Sequence, residues 1–155
     1  MAATNTVIYV DMDHVLCDYS VGFAAHKAKY PDLRFPQGQP GLYRNLSPMP
    51  GAIDTYLWLN SQEQADVYIL TAPSIHNPHC YSEKRIWVEH YLGLDIVRNL
   101  IISPHKHLNM GDFLIDDKPF GKGQDKFKGK LILFGSDAYP DWAAIRRYFE
   151  DLWSQ

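Results

Sequence analysis

The fold of this chain is indicated by the stretch Val7-Ile8-Tyr9-Val10-Asp11-Met12-Asp13-His14-Val15. Its first four residues are β-branched or aromatic, which predicts a buried strand. Asp11 and Asp13 follow at the carboxyl end of that strand, where open α/β sheets bind ligands. Carboxylates this close repel each other unless a cation or a proton relieves the repulsion. The stretch therefore predicts a metal-assisted site with a nucleophilic Asp, although two Asp residues that cap a helix remain the simpler alternative.

Five apolar runs predict strands, and all are nearly continuous, as in a parallel sheet that is covered on both faces. They are Val7–Val10, Val67–Leu70, Leu100–Ile102, Phe113–Ile115 and Leu131–Phe134. Helical patterns lie between or beside them: one around Phe23 that ends before Pro31, one that begins after Gly51, Glu83–Leu92 with Gly93 as its C-cap, and Trp142–Trp153. The alternation predicts an α/β fold with a doubly wound parallel sheet.

Length and composition predict a single domain over residues 1–155, since 46% hydrophobic and 21% charged residues are ordinary values for a globular protein. The net charge of −3 gives no electrostatic signature for a nucleic acid polymer or an anionic membrane. Cys17 and Cys80 fit neither a disulfide framework nor zinc spacing, so free thiols are expected. With no signal peptide and no bilayer-spanning run, the expected location is the cytoplasm. Oligomeric state stays open.

Two segments lack regular periodicity. Pro31–Gly51 is rich in proline, glycine and aromatic residues, and it is predicted to be an ordered loop or small lid. The residues expected to pack in it are Leu33, Phe35, Leu42, Tyr43 and Leu46. Lys118–Lys130 is rich in glycine and lysine, and a solvated surface loop is expected there.

Polar residues follow three further apolar runs. Thr71 ends one run, and its hydroxyl together with nearby backbone N–H groups suits phosphate oxygens, although taken alone a Thr that caps the next turn is the better interpretation. Lys84 and Lys106 offer ammonium groups for a phosphoryl group, against the usual solvated role of lysine. Asp116 and Asp117 follow another strand, and adjacent carboxylates at that position suit Mg²⁺.

This order of motifs resembles the haloacid dehalogenase (HAD) superfamily of phosphotransferases, and within it the 5′(3′)-deoxyribonucleotidase family. The resemblance covers nearly the whole chain. It is carried by Asp11-Met12-Asp13-His14-Val15-Leu16-Cys17-Asp18-Tyr19, Met49-Pro50-Gly51-Ala52, Ile69-Leu70-Thr71-Ala72-Pro73, Cys80-Tyr81-Ser82-Glu83-Lys84 with Trp87-Val88-Glu89, and Leu114-Ile115-Asp116-Asp117-Lys118-Pro119.

The resemblance implies that Asp11 is the nucleophile and forms an aspartyl-phosphate. Asp13 is similar to the general acid that protonates the leaving nucleoside oxygen and then activates water. The implied cofactor is Mg²⁺, held by the Asp11 carboxylate, the Asp13 backbone carbonyl and one of Asp116 and Asp117, with Asp117 favoured.

The resemblance also implies substrate contacts. Thr71, with the adjacent backbone of Ala72, and Lys106 match phosphate-binding positions, and Lys84 matches a position that supports the same pocket. Tyr19 matches an aromatic position near the nucleoside base. The implied substrate is a small nucleotide.

The chain departs from the family pattern at two places. His14 stands where family members usually have Gly, so its ring is expected to crowd the pocket, contact phosphate or point away. The stretch between Asp13 and Thr71 is short, which implies a reduced cap insertion after the first strand, over residues 18–50.

The resulting hypothesis is an Mg²⁺-dependent phosphomonoester hydrolase that dephosphorylates (deoxy)ribonucleoside monophosphates. The alternatives are a HAD phosphatase for another small phosphate ester, which the reduced cap favours, and a non-catalytic nucleotide-binding protein.

Overall fold

All strands of the central sheet run parallel in the computed structural model, which describes residues 4–155. The strands are β1 (Thr6–Val10), β2 (Ala65–Thr71), β3 (Leu100–Ile102), β4 (Phe113–Asp116) and β5 (Lys130–Leu133), in the spatial order β3-β2-β1-β4-β5. Every predicted strand is present, and most bounds differ by one or two residues. The last strand ends at Leu133 rather than at the predicted Phe134. Since β1 lies between β2 and β4, the ends of these three strands are neighbours.

The helices are α1 (Tyr19–Lys29), α2 (Ala52–Asn60), α3 (Cys80–Leu92), α4 (Leu94–Val97) and α5 (Trp142–Trp153). Helix α1 begins earlier than its apolar pattern because the side chain of Asp18 caps it and accepts a hydrogen bond from the Val21 N–H. Helix α3 begins at Cys80 rather than at the predicted Glu83. It ends at Leu92, and its C-cap is Gly93, as predicted, with a φ of 100° that glycine adopts readily.

The core divides between the two faces of the sheet, because successive strand residues point to opposite sides. Ile8 and Val10 of β1 belong to the larger cluster, which also contains Tyr56 of α2, Trp87 of α3 and Phe149 of α5. A smaller cluster on the other side consists of Tyr9, Leu70, Leu114 and Phe127, with partly buried neighbours. The larger cluster fixes the helices against the sheet and so positions the strand ends.

Burial varies within α3 and within the segment Pro31–Gly51. In α3, Trp87 and Val88 are buried, whereas Ile86 and Tyr91 are half-buried. In the segment Pro31–Gly51, Leu42, Tyr43 and Leu46 are buried as predicted, whereas Leu33 and Phe35 are exposed. Phe35 instead stacks on the ring of His76, with 3.9 Å between the ring centroids.

The predicted free thiols are confirmed, since Cys17 and Cys80 are both buried and unpaired. Within residues 4–155, none of the helices has the length and apolar character needed to cross a bilayer.

Candidate active site

The predicted polar residues meet at the carboxyl edge of the sheet. Asp11 directly follows β1, and its N–H donates to the carbonyl of Ile115 in β4 at 2.9 Å. Thr71 is the last residue of β2, and Asp116 is the last residue of β4. Parallel strands bring their carboxyl ends to one edge, so three segments distant in sequence contribute side chains to one place.

Lys106 joins two of the acids. Its Nζ atom lies 2.9 Å from Asp11 Oδ1 and 2.5 Å from Asp116 Oδ2. Asp116 is fully buried and also accepts hydrogen bonds from the backbone N–H of Lys118 and from Gln124 Nε2. The Asp116 carboxylate is therefore already engaged by three protein donors, and it holds Lys106 against Asp11.

Lys84 organises the neighbouring strand end. Its Nζ atom donates to Asp13 Oδ2 at 2.9 Å, to Thr71 Oγ1 at 2.6 Å and to the backbone oxygen of Ala72 at 3.0 Å. All three ammonium hydrogens are thus engaged by acceptors of the site. The lysine side chain is fully buried, so the charge pair with Asp13 replaces hydration as its source of stabilisation.

The acids form a group with the chemistry of a cation site. One carboxylate oxygen from each of Asp11, Asp116 and Asp117 lies within 4.8 Å of the others. Asp117 has few competing contacts: its Oδ2 atom lies 3.3 Å from the exposed ammonium of Lys118. Asp13 Oδ1 is buried and has no hydrogen-bond partner within residues 4–155. Hard carboxylate oxygens gathered in this way fit Mg²⁺.

Burial and neighbouring charges change the proton affinity of these groups. Burial is the main cause that raises the pKa of Asp11 to about 7, with Asp116 and Asp13 adding repulsion and Lys106 opposing both. The pKa of Lys84 is raised, because attraction by Asp13 and Asp11 outweighs the effect of burial. The same balance, with Asp11 and Asp116 as partners, raises the pKa of Lys106. Both lysines therefore remain charged.

A cleft of about 340 Å³ opens over Lys106 and the acids of the site, a volume within the usual range for small-molecule sites. Its lining residues do not include the fully buried Thr71 and Lys84. Its acidic and basic floor consists of Asp11, Asp13, Lys106, Asp116 and Asp117. The walls are formed by His14, Tyr19, Gln37, Tyr43, Ala72, Pro73, Ser74, Ile75, His76, Lys118, Lys122 and Gln124. The cleft thus joins a charged floor to a partly aromatic wall.

The aromatic wall contains the predicted Tyr19. Its ring lies 5.8 Å from that of Phe23 and 6.0 Å from that of Tyr43, measured between centroids. Burial raises the pKa of both tyrosine hydroxyls, that of Tyr43 to about 12, so both are neutral at pH 7. Sequence reasoning placed Tyr43 in the core without assigning it to the cleft.

His14 lies at the mouth of the cleft in a left-handed conformation, with a φ of 65°. Its ring faces Tyr19 at 5.2 Å between centroids, and its Nδ1 atom lies 3.3 Å from Ser20 Oγ. A left-handed φ is the conformation that glycine adopts without strain, so His14 bears a backbone cost that a glycine would not.

The segment Lys118–Lys130 is more than a solvated loop. Its lysines are exposed, as predicted, but Gln124 and Phe127 are buried. Gln124 reaches Asp116, and the backbone oxygen of Lys122 accepts the N–H of Lys106 at 2.8 Å. The segment therefore closes one side of the site, a role that a Gly- and Lys-rich composition does not signal.

Comparisons with known proteins agree with this geometry. Residues 30–148 match the family model described as 5′ nucleotidase, deoxy (pyrimidine), cytosolic type C protein (NT5C). A Vibrio phage KVP40 protein that carries the provisional name 5′(3′)-deoxyribonucleotidase is 39% identical over 146 residues, which are 92% of this chain and 83% of that protein. The human cytosolic 5′(3′)-deoxyribonucleotidase is 32% identical over 80% of this chain and 76% of its own length.

The fold is similar to that of a solved HAD-type hydrolase. Bacillus subtilis YfnB, whose crystal structure was obtained with magnesium bound, superposes with a TM-score of 0.56 at 14% sequence identity. The superposition covers 90% of each chain. Together with the all-parallel sheet, it confirms the HAD-like α/β fold.

Proposed function

Because this chain belongs to the family of 5′ nucleotidase, deoxy (pyrimidine), cytosolic type C proteins, we propose that it dephosphorylates (deoxy)ribonucleoside monophosphates with the aid of Mg²⁺. Its enzyme class follows from the family: it is a phosphoric monoester hydrolase of the HAD superfamily. The observation that carries the proposal is the approach of Asp11, Asp116 and Asp117 to within 4.8 Å of one another, beside the buried ammonium groups of Lys84 and Lys106.

The residues that hold Mg²⁺ in this proposal are Asp11 and Asp117 through their carboxylates and Asp13 through its backbone carbonyl. Asp117 is preferred over Asp116 because the Asp116 carboxylate already accepts from Lys106, Lys118 and Gln124. A bound Mg²⁺ supplies positive charge that offsets the repulsion between these carboxylates and a phosphate dianion, and it favours the ionised form of Asp11.

Asp11 acts as the nucleophile. Its carboxylate oxygen forms a bond to phosphorus while the bond between phosphorus and the nucleoside oxygen breaks, which gives an aspartyl-phosphate. Lys106 holds Asp11 Oδ1 at 2.9 Å, so the carboxylate cannot rotate freely and the other oxygen remains for attack.

Asp13 moves the protons. Lys84 binds its Oδ2 atom, whereas Oδ1 has no partner among residues 4–155 and is free to carry a proton. Asp13 gives that proton to the leaving nucleoside oxygen. It then accepts a proton from the water that attacks phosphorus, which releases phosphate and restores Asp11.

In this proposal the phosphate oxygens are bound by groups at the end of β2 and by Lys106. Thr71 Oγ1 and the backbone of Ala72 lie where Lys84 fixes them, and Lys106 adds a second positive charge near Asp11. A phosphate monoester carries a charge of about −1.5 to −2 at pH 7, so both ammonium groups favour its binding. Removing one such contact costs roughly 3–4 kcal/mol of transition-state stabilisation.

The nucleoside lies against the aromatic wall in this proposal. Tyr19 is the stacking residue for the base, and such stacking contributes about 1–3 kcal/mol per base. Residues 18–50 form a small cap on the single domain. The free thiols of Cys17 and Cys80 are consistent with activity in the cytoplasm.

The test is phosphate release from a panel of 5′- and 3′-monophosphates of deoxyribo- and ribonucleosides, together with sugar phosphates. We expect nucleotide turnover with Mg²⁺ and none after chelation. Asp11→Asn should lose more than about a thousandfold in kcat. Asp95→Asn is the matched control, because the Asp95 side chain is almost fully exposed. A preference for sugar phosphates over every nucleotide would favour the alternative substrate class, and nucleotide binding without turnover would favour a non-catalytic role.

A further inference from the structure

Three buried side chains hold the backbone of residues 36–46, here named the cap loop. Asn77 Nδ2 donates to the carbonyls of Gln37 and Gln39, at 2.9 and 3.2 Å. Trp87 Nε1 donates to the carbonyl of Leu46 at 2.8 Å. The third side chain is that of Glu83. All three come from α3 or the turn before it, so this part of the chain holds the cap loop at several points.

Glu83 accepts three hydrogen bonds from the cap loop, more than Asn77 or Trp87 makes with it. Its carboxylate accepts from the backbone N–H groups of Gly41 at 2.6 Å, Tyr43 at 3.0 Å and Arg44 at 3.4 Å. The residue is only 4% exposed. Among the described residues 4–155, no side-chain nitrogen of a Lys, Arg or His lies within 4.0 Å of its carboxylate. A buried charge needs such partners, so the three N–H groups and the carboxylate constrain each other.

The contact reaches the cleft through Tyr43. The N–H of Tyr43 binds Glu83, while its side chain lines the cleft and faces Tyr19. The ammonium of Lys84 lies 5.1 Å from the centroid of the Tyr43 ring. Neighbouring residues of α3 therefore act on two sides of the site: Lys84 on the phosphate side, and Glu83 on the aromatic wall.

We propose that Glu83 is a positioning residue for substrate selectivity: by holding the backbone of residues 41–44, it fixes the Tyr43 ring as the wall against which the nucleoside of the substrate packs. This inference rests on the proposed nucleotidase function. Glu83 does not touch the reacting atoms. Its loss is therefore expected to weaken recognition of the nucleoside far more than transfer of the phosphoryl group.

The experiment compares Glu83→Gln with the parent on two substrates, a deoxyribonucleoside 5′-monophosphate and acetyl phosphate, which has a transferable phosphoryl group but no base. Gln has the same size but presents an amide NH₂ to backbone N–H groups that need an acceptor. We expect KM for the nucleotide to rise about tenfold, which corresponds to about 1.4 kcal/mol. Turnover of acetyl phosphate should fall far less. Glu89→Gln is the control, since Glu89 is partly exposed on the same helix and pairs with Arg85.

A double-mutant cycle tests whether the effect passes through Tyr43. Tyr43→Ala alone should raise the nucleotide KM, and adding Glu83→Gln to it should raise KM little further. Thermal unfolding shows whether Glu83→Gln folds. If it does not, Tyr43→Ala alone tests the inference, and an unchanged nucleotide KM in that variant overturns it.

The outcomes separate the inference from the function on which it rests. If the parent enzyme turns over acetyl phosphate but no nucleotide, the proposed nucleotidase function is wrong, and so is the role of Tyr43 as a wall for the nucleoside. If the parent enzyme is active on nucleotides but Glu83→Gln leaves the kinetics for both substrates unchanged, only the role of Glu83 is wrong. The role of Glu83 is also wrong if Glu83→Gln has a kcat/KM that is equally reduced for both substrates, because selectivity is then unchanged.

Discussion

Lys106 and Asp116 form a buried ion pair, with Nζ and Oδ2 2.5 Å apart and side-chain exposures of 2% and 0%. The same ammonium lies 2.9 Å from Asp11 Oδ1. The pair therefore connects the proposed nucleophile at the end of β1 to the end of β4. Removing one member of a buried pair leaves an uncompensated charge, which costs more than the net contribution of the intact pair.

Replacing Lys106 with Met is expected to reduce both stability and activity. The variant leaves the Asp11 and Asp116 carboxylates facing each other without a cation, and breaking a buried pair in this way costs about 3–5 kcal/mol. Urea unfolding without Mg²⁺ measures the loss of stability. Lys128→Met, at an exposed position, is the control and should leave the unfolding midpoint unchanged. A Lys106→Met protein as stable as the parent would show that the acids do not depend on this ammonium.

Asp116 and Asp117 should respond differently to substitution by Asn. Asp117→Asn removes a proposed Mg²⁺ ligand whose ion-pair partner is the exposed ammonium of Lys118, so stability should change by less than about 1 kcal/mol. The Kd for Mg²⁺ from calorimetric titration should rise more than about tenfold, because mutating even the residues that support a metal ligand commonly weakens metal affinity by that much.

Asp116→Asn should instead lower the free energy of unfolding by about 1.5–3 kcal/mol, because it weakens charged hydrogen bonds to Lys106 and Gln124. Unfolding without Mg²⁺ isolates this effect from metal binding. The reverse pattern, with a stable Asp116→Asn protein that no longer binds Mg²⁺ and an Asp117→Asn protein that binds normally, would assign direct ligation to Asp116.

His14→Gly is expected to be more stable than His14→Ala by about 1 kcal/mol. Both substitutions remove the imidazole and its contacts with Tyr19 and Ser20, but only glycine relieves the cost of a left-handed φ, which is about 1–2 kcal/mol for other residues. Thermal or urea unfolding of the two variants gives the difference directly. An Ala variant equal to or more stable than the Gly variant would show that this backbone conformation is unstrained.

Two tryptophans of α5 provide a matched pair. Trp142 Nε1 donates to the carbonyl of Val15 at 2.8 Å, close to the proposed catalytic Asp13, whereas Trp153 Nε1 has no partner within residues 4–155. Trp142→Phe leaves a buried carbonyl without its donor, at a cost of about 1–3 kcal/mol. Trp153→Phe carries no such cost. Equal losses in urea unfolding would mean that the Val15 contact contributes nothing to stability.

The sequence predicts the charged floor of the cleft because a simple rule connects it to the fold. Apolar runs identify the strands, and parallel strands bring their carboxyl ends together, so Asp11, Thr71 and Asp116 are expected at one edge before any distance is known. The lysines were predicted as phosphate ligands. The geometry adds that each is already paired, Lys84 with Asp13 and Lys106 with two acids.

No such rule predicts the residues that hold the walls of the cleft in place. Asn77, Glu83 and Gln124 satisfy groups that lie far away in sequence or in irregular segments, so no periodic pattern identifies them as buried. Composition predicted that the segment Pro31–Gly51 packs, but it could not distinguish the buried Leu42 from the exposed Leu33.

The most direct test of the proposed chemistry is to trap the phosphoryl group on the enzyme. The protein is mixed with a deoxyribonucleoside 5′-monophosphate labelled in its phosphate and with Mg²⁺, quenched in acid within milliseconds, digested, and mapped by mass spectrometry. We predict label on the peptide that contains Asp11, and none after chelation or in Asp11→Asn. Rapid nucleotide turnover in which the label never appears on Asp11 would contradict the proposed aspartyl-phosphate mechanism.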